Sequence, residues 1–195
     1  MPRLETPRLL LRAWRPAEDV AAYKEMLDDP EVMRHIGVGW RYAVKRAAAA
    51  LLGVVSDVEA RRAIAHLIRH WRTRGYGEWA VVEKASGALI GQIGLVHHAD
   101  WLADPTQIEV GWMLARRAWG KGLATEGARA TLRYAFDALG IERVVSITRP
   151  ENQRSLRVMQ RLGLEPVGSA EWKGGTVLWY AIDRATYHEQ LAASS

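Results

Sequence analysis

The sequence predicts an α/β protein in which one mixed β-sheet carries helices on both faces. Three observations lead to this fold class. Strand-like and helix-like segments alternate along the second half of the chain, and Gly or Pro residues separate them. The chain has 195 residues, of which 49% are apolar, so it can bury a core of its own. No internal repeat or low-complexity linker divides it, and we therefore expect a single domain over residues 1–195.

One strand and three helices are predicted for the first part of the chain. Residues 8–14 are strand-like. Pro16 and the acidic residues after it open a helix that ends near residue 27. The Ala-rich stretch within residues 37–55 is expected to form a helical insertion. Ser56 and Glu59 match a capping box, which begins a third helix that runs to about residue 72.

The rest of the chain is predicted to contain two helices and six strands. The first of these helices follows Gly122 and ends at Gly140, and the second spans residues 152–162. The glycines around residue 174 make the last two strands a hairpin. The predicted strands span residues 78–83, 88–96, 107–115, 143–148, 165–172 and 177–183.

Composition excludes several classes of protein. Cys is absent, which excludes a disulfide framework, a Cys-ligated zinc site and a Cys nucleophile. The longest apolar run, residues 47–55, is far below the ~18 residues that span a bilayer, and the start of the chain lacks the apolar core of a signal peptide. We expect a cytoplasmic protein with no membrane partner. The net charge of +5 is compatible with a polyanionic partner, and equally with one anionic cofactor.

The segment Arg117-Ala-Trp-Gly120-Lys-Gly122 lies between a predicted strand and a predicted helix. Two Gly residues at a helix start let a ligand approach the backbone, where free N–H groups and the helix dipole favour an anion such as a pyrophosphate. Arg116, Arg117 and Lys121 add positive charge. The Walker pattern is absent, and Thr125 replaces the third Gly of the dinucleotide fingerprint. A tight turn with surface charges is the alternative interpretation.

Four motifs, in order along the chain, resemble the Gcn5-related N-acetyltransferase (GNAT) superfamily. The pattern Arg117-x-x-Gly120-x-Gly122 is similar to its acyl-CoA pyrophosphate signature. Segments 4–12, 108–114 and 150–163 resemble the opening strand, the central strand and the late coenzyme A-binding helix of the branch that contains the ribosomal-protein alanine N-acetyltransferases. The resemblance implies a mixed, mostly antiparallel sheet with a splayed parallel strand pair, and acetyl-CoA in the gap between those strands.

The same resemblance implies a set of contacts to acetyl-CoA. Backbone groups of Met113 and Leu114 would pair with the pantetheine arm, and the Met113 N–H would polarise the thioester carbonyl. Backbone N–H groups of the Gly-containing loop would hold the pyrophosphate, and Asn152 would hydrogen-bond the pantetheine arm. The residues assigned in this way are Met113, Leu114, Arg117, Trp119, Gly120, Lys121, Gly122, Ala124 and Asn152.

Two residues are candidates for the base and the acid of acetyl transfer to an amine. Glu109 is the candidate base, because it lies four residues before Met113 and so shares a strand face with it. Ser155 is the candidate acid for the coenzyme A thiolate, by its match to the Ser of the ribosomal-protein branch. Many family members carry a Tyr seven residues after the Asn, where this chain has Met159. A structural hydrogen bond at Glu109 and helix capping at Ser155 are the alternatives.

Other groupings have plainer explanations. His66 and His70 have helical metal-ligand spacing, but no third ligand is evident, so no metal site is expected. His97 and His98 are expected to be loop histidines, with either one an alternative base. The Arg-rich stretch 61–74 is expected to be a solvated helix face rather than a nucleic-acid site. Core packing, rather than an acceptor pocket, is expected for Trp40, Trp71, Trp79 and Trp101.

The sequence therefore predicts an N-acetyltransferase that moves an acetyl group from acetyl-CoA to a primary amine. Because Cys is absent, direct transfer in a ternary complex is preferred to an acetyl-enzyme. The first expectation for the acceptor is a protein N-terminal α-amine. The alternatives are a small-molecule amine, such as an aminoglycoside or polyamine, and a non-catalytic acyl-CoA-binding sensor. The insertion at 37–55 is expected to flank the acceptor cleft, and a homodimer stays open.

Overall fold

A computed structural model describes residues 1–36 and 55–193. Their strands are β1 (Leu4–Glu5), β2 (Leu9–Arg12), β3 (Glu78–Glu83), β4 (Leu89–His97), β5 (Ile108–Leu114), β6 (Arg143–Thr148), β7 (Glu165–Glu171) and β8 (Thr176–Asp183). They form one eight-stranded sheet in the order β1-β2-β3-β4-β5-β6-β8-β7. Neighbours are antiparallel except β5 and β6, which run parallel. The predicted mixed, mostly antiparallel sheet is confirmed.

Six α-helices lie in the described part of the chain. They are α1 (Pro16–Asp28), α2 (Pro30–Met33), α3 (Asp57–Arg74), α4 (Leu123–Arg133), α5 (Gln153–Arg161) and α6 (Arg184–Ala193). A 3₁₀ turn at Arg116–Ala118 precedes α4, and a π turn at Tyr134–Ala138 extends it. A separate strand β1 and the helices α2 and α6 were not predicted from the sequence. The predicted helical insertion at 37–55 lies outside the described residues, apart from Val55.

Local sequence signals explain where α3 begins and ends. The Ser56 hydroxyl accepts from the Glu59 N–H, and the Glu59 carboxylate accepts from the Ser56 N–H, so the predicted capping box is present. Gly75 ends the helix with φ +77°, a left-handed conformation that suits Gly. None of the described helices is long and apolar enough to span a membrane.

The two faces of the sheet bury separate apolar clusters. Helices α1, α2 and α3 pack on one face, where Tyr23, Ile64 and Met113 are buried together. Helices α4, α5 and α6 pack on the other, with Leu132 and Tyr187 among the buried residues. Trp71 and Trp79 meet edge to face in this second cluster, and Trp101 is buried in a third beside β8, as the expectation of core packing requires. Trp40 lies outside the described residues.

The parallel strands β5 and β6 separate soon after they meet. Within the described strands they are paired at one position, Glu109 opposite Val145. Past this point side chains take over the bonds that a continued ladder would make. The Ile147 N–H donates to Glu109 Oε1 at 3.1 Å, and Ser146 Oγ donates to the Val110 carbonyl at 3.0 Å. A gap therefore opens in the middle of the sheet, with satisfied backbone groups at its apex.

Candidate active site

A cavity of about 560 Å³ occupies the gap between β5 and β6. The end of β5 and the loop after it form one wall, and the start of α5 forms the other. Residues 31–36, in and after α2, approach from the face that carries α1 and α3. Of the predicted site residues, the cavity is lined by Met113, Leu114, Trp119, Gly120, Gly122, Ala124, Asn152 and Ser155. The fold thus brings together most of the residues that the sequence assigned to acetyl-CoA.

The register of β5 shows which backbone groups face this gap. The Ala115 N–H donates to the Ile90 carbonyl, and the His98 N–H donates to the Gln107 carbonyl. In an antiparallel ladder, every second pair of opposite residues is joined by backbone hydrogen bonds. Ala115 and Ile90 form such a pair, so Met113 and Gln92, two residues further along, form the next one. The Met113 N–H is therefore turned away from the gap, which corrects the predicted oxyanion role. The Leu114 N–H faces the gap instead.

The loop before α4 is shaped to hold an anion. Gly120 and Gly122 adopt φ +75° and +77°, which few other residues tolerate. Gly122 is the N-cap of α4 and has no side chain, so the first N–H groups of the helix are left for a ligand. The Thr125 hydroxyl, on the first turn, is buried and finds no hydrogen-bond partner among residues 1–36 and 55–193. A buried donor without a partner beside free N–H groups fits the pyrophosphate of coenzyme A.

Replacing Thr125 with Val is expected to weaken coenzyme A binding without destabilising the free protein. Val has nearly the same shape and removes a buried hydroxyl whose burial costs free energy without a partner. We expect Kd for coenzyme A to rise by about tenfold, the scale of one hydrogen bond to a charged group. Calorimetry measures the affinity, and thermal unfolding of the unliganded variant supplies the control. Unchanged affinity would mean that the hydroxyl does not meet the ligand.

The positive charge at the cavity comes from a different element than the sequence analysis proposed. Arg116 pairs with Asp29 at 3.2 Å, and Arg117 donates to the Leu89 carbonyl at 2.9 Å. Both line a smaller hollow of about 260 Å³, and neither they nor Lys121 are among the described residues that line the main cavity. The cations along that cavity include three from α5, which have no carboxylate partner in the described part of the chain: Arg154, Arg157 and Arg161. The guanidinium of Arg154 lies 4.4 Å from the ring centre of Trp119, across the opening.

Ser155 is held in the cavity wall by Asn152. Asn152 is the N-cap of α5, and its Oδ1 accepts from the Ser155 N–H at 3.3 Å. Its Nδ2 donates to Ser155 Oγ and to Thr148 Oγ1, both at 3.0 Å. Asn152, and not Ser155, therefore caps α5. Because Ser155 Oγ accepts from the amide, its own hydrogen is left for a group in the cavity.

Glu109 lies at the apex of the gap rather than in the cavity wall. Its Oε1 accepts from the Ile147 N–H, and its Oε2 lies 2.6 Å from His98 Nε2. The His98 ring also packs edge-on against Trp172, with ring centres 4.8 Å apart. The structure thus joins Glu109 to one of the two histidines that the sequence offered as alternative bases. Both carboxylate oxygens are engaged, so Glu109 also has the structural role of closing the apex.

A second carboxyl on the same face of the sheet escaped the sequence analysis. Glu78, the first residue of β3, accepts from Gln92 Nε2 at 3.0 Å. Burial raises the pKa of Glu78 to about 7, the hydrogen bond from Gln92 opposes this, and the negative charge of Glu109 adds to it. No motif marks Glu78, because its position depends on the register among three successive strands, β3, β4 and β5.

His70, one of the two histidines with helical metal-ligand spacing, has a structural role that occupies both of its ring nitrogens. Its Nδ1 lies 3.0 Å from the Tyr76 carbonyl, and its Nε2 accepts from the His97 N–H at 3.1 Å. His70 therefore ties α3 to the sheet as a neutral ring, and burial lowers its pKa. No group of three or more metal-ligating side chains is found in the described ranges.

A splayed sheet with an anion-binding helix start on one wall and a hydroxyl on the other has the features of a coenzyme A-dependent acyltransferase. Comparison with known proteins agrees with this class. Residues 8–165 match the model for the acetyltransferase (GNAT) domain. The chain therefore belongs to the GNAT family, and it is an acetyl-CoA-dependent N-acetyltransferase.

Individual relatives support the assignment. The Bacillus subtilis protein YkkB is 27% identical over 162 residues, which are 83% of this chain and 84% of that protein. An acetyltransferase from Agrobacterium tumefaciens superposes with a TM-score of 0.73 at 26% identity, covering 93% of this chain and 94% of its own. RimL, a ribosomal L7/L12 α-N-protein acetyltransferase solved with coenzyme A, superposes with a TM-score of 0.72 at 19% identity. The superposition covers 95% of this chain and 99% of RimL. At that identity RimL shows a shared fold.

Proposed function

We propose that the protein acetylates the α-amine of a protein N-terminus by direct transfer from acetyl-CoA in a ternary complex. The observation that carries the mechanism is the position of Ser155, whose hydroxyl lines the cavity and is oriented by Asn152. The motifs shared with the ribosomal-protein branch support the choice of an N-terminal amine, and RimL, which has the same fold, is an acetyltransferase of such an amine. The acetyl group would lie near the Leu114 N–H, which can donate to the thioester oxygen.

Residues on the two sides of the cleft carry out different proton transfers: one side removes a proton from the amine, and the other gives a proton to the thiolate. The acceptor amine loses a proton to the base that includes Glu109, and its nitrogen forms a bond to the acetyl carbon. The carbon–sulfur bond breaks, and the thiolate takes a proton from Ser155, which regains one from water. An α-amine has a pKa near ~8, so part of it is already neutral at pH 7, and a carboxylate base suffices. The absence of Cys from the chain favours direct transfer over a covalent acetyl-enzyme.

An acceptor screen tests the proposal. Purified protein is given acetyl-CoA with peptides of different N-terminal residues, with polyamines and with aminoglycosides, and release of free thiol is followed. We expect turnover with peptides, and blocking the peptide α-amine should abolish it. Preference for a small amine would replace the acceptor part of the proposal. Coenzyme A binding in calorimetry, without turnover of any amine, would favour the non-catalytic sensor.

A further inference from the structure

Glu78 has a backbone that is fixed from both faces of the sheet. Its carbonyl accepts hydrogen bonds from Trp14 Nε1 and from Trp71 Nε1, each at 3.0 Å. Trp14 belongs to the buried cluster under α1 and α3, and Trp71 to the cluster on the opposite face. Because the backbone is held at this point, the direction in which the Glu78 side chain leaves it is fixed.

Two glycines make room for that side chain to cross the sheet. Glu78 pairs with Gly94 in β4, and Gly94 pairs with Gly111 in β5. A methyl group at Gly94 would lie 2.4 Å from the Glu78 Cα, and one at Gly111 would lie 4.0 Å from Glu78 Oε1. The carboxyl group therefore extends over β4 and rests above Gly111.

The Glu78 carboxyl lies between the cavity wall and Glu109. Gly111 is two residues from Glu109 and two from Met113, and all three share one face of β5. Two residues along a strand are about 7 Å. Met113 lines the cavity, so the Glu78 carboxyl lies one such step from the cavity wall and one step from Glu109.

Hydrogen bonds orient the carboxyl and leave one oxygen available. The Tyr23 hydroxyl donates to Gln92 Oε1 at 2.6 Å, and Gln92 Nε2 donates to Glu78 Oε1 at 3.0 Å. Glu78 Oε2 makes no hydrogen bond to any residue in the ranges 1–36 and 55–193. Glu109 differs, because each of its oxygens already has a partner.

We infer that Glu78 and Glu109 form a carboxyl pair on the acceptor side of the cleft, and that Glu78 is the member that takes the proton from the acceptor's ammonium group. The inference rests on the proposed function and deepens it, since it names the group that receives the proton. The N–H bond of the ammonium breaks and an O–H bond forms at Glu78 Oε2. The neutral nitrogen then attacks the thioester carbon. As the carbon–sulfur bond breaks and the thiolate takes the proton of Ser155, the nitrogen releases its second proton to water, from which Ser155 regains one. The Glu78 carboxylic acid also returns its proton to water.

The ionisation of Glu78 suits this task. Its pKa of about 7 keeps the carboxylate substantially populated near neutral pH while making it a stronger base than an exposed Glu. The polar or titratable groups that face it from neighbouring elements are Gln92 on β4, Glu109 on β5 with its partner His98, and Tyr23 on α1 through Gln92. Glu109 is the one whose charge raises the Glu78 pKa, and the bond from Gln92 lowers it.

The pH dependence of kcat/KM tests the inference. It is measured for wild type and Glu78→Gln with two acceptors whose amines differ in pKa, so that a limb common to both belongs to the enzyme. Wild type is expected to show a rising limb near pH 7, because activity needs the ionised carboxylate. Glu78→Gln should lose this limb and about 100-fold in kcat/KM on the plateau, with the Kd for coenzyme A unchanged. A limb that persists in Glu78→Gln and disappears in Glu109→Gln would overturn the inference.

Two further variants test the inference without removing the Glu78 side chain. Gln92→Leu removes the bond that lowers the Glu78 pKa, so the limb should move to higher pH, whereas an unmoved limb would contradict the inference. Glu83→Gln, at the far end of the same strand, should retain the wild-type profile. Turnover by Glu78→Gln with the wild-type profile overturns this inference alone. Failure of wild type to acetylate any amine overturns the proposed function as well.

Thermal unfolding supplies a check that Glu78→Gln is folded and that Glu78 is buried as described. The folded state raises the Glu78 pKa above that of the unfolded chain, so the unfolded state releases this proton at lower pH. Wild type therefore loses stability as pH rises from the unfolded pKa through about 7. Glu78→Gln lacks that loss, and its Tm relative to wild type should increase between about pH 5 and about pH 8. A constant difference would contradict the burial on which the inference depends.

Discussion

Ser155→Ala is expected to lower kcat for acetyl transfer by about 100-fold and to leave the Kd for acetyl-CoA unchanged. The reason is that Ser155 Oγ accepts from Asn152, which leaves its hydrogen for the departing thiolate. The substitution keeps the Ser155 N–H, so Asn152 still caps α5 and the wall of the cavity stays in place. Steady-state thiol release gives kcat, and calorimetry gives the affinity.

The control for Ser155→Ala is Ser169→Ala, on the exposed strand β7, which should behave as wild type. A variant that lost affinity instead of kcat would show that Ser155 helps to bind the cosubstrate and does not donate the proton. If Ser155→Ala changed neither quantity, the thiolate would have to take its proton from water, and the assignment of the acid would be wrong.

Gly94→Ala is expected to destabilise the fold by at least about 3 kcal/mol, because the clash is with backbone that has nowhere to move. A methyl group there would lie 2.2 Å from the Gly77 carbonyl oxygen and 2.4 Å from the Glu78 Cα. The same part of β3 is held by the indole N–H groups of Trp14 and Trp71. Denaturant unfolding measures the free energy of unfolding.

Gly111→Ala is the matched control, since it adds the same methyl group in the same row of the sheet, one strand away. Its nearest described neighbour would be Glu78 Oε1 at 4.0 Å, an ordinary contact, so we expect a change below about 1 kcal/mol. Equal destabilisation by the two variants would show that the loss comes from Gly as a residue type and not from the close approach of β3 to β4.

The sequence predicted the elements whose causes are local. The capping box at Ser56 and the left-handed Gly75 mark the ends of α3 within a few residues. The loop before α4 was likewise recognisable, because its glycines and its place between strand and helix are visible in sequence. Missed elements carry weak local signals: β1 has two residues, and α6 has little segregation of apolar and polar side chains.

The errors at the site have one physical origin, which is that contacts across strands decide what each group does. The side-chain charge of Arg117 was expected at the pyrophosphate, but its guanidinium donates to the Leu89 carbonyl on β4. The Met113 N–H was assigned to the thioester, but the register with Gln92 turns it into the sheet. Glu78 needed two glycines on neighbouring strands before its carboxyl could extend over β4 to β5. None of these relations can be read from spacing along the chain.

The separation of β5 and β6 leaves an unpaired strand edge inside the protein rather than at its border. Outer edges of this kind recruit strands from other molecules and promote aggregation. Here the edge near Leu114 lines the cavity, and the start of α5 forms the opposite wall. The enzyme can thus offer amide-pairing groups to its cosubstrate from the interior of the sheet, away from the outer edges at which strands of other molecules pair.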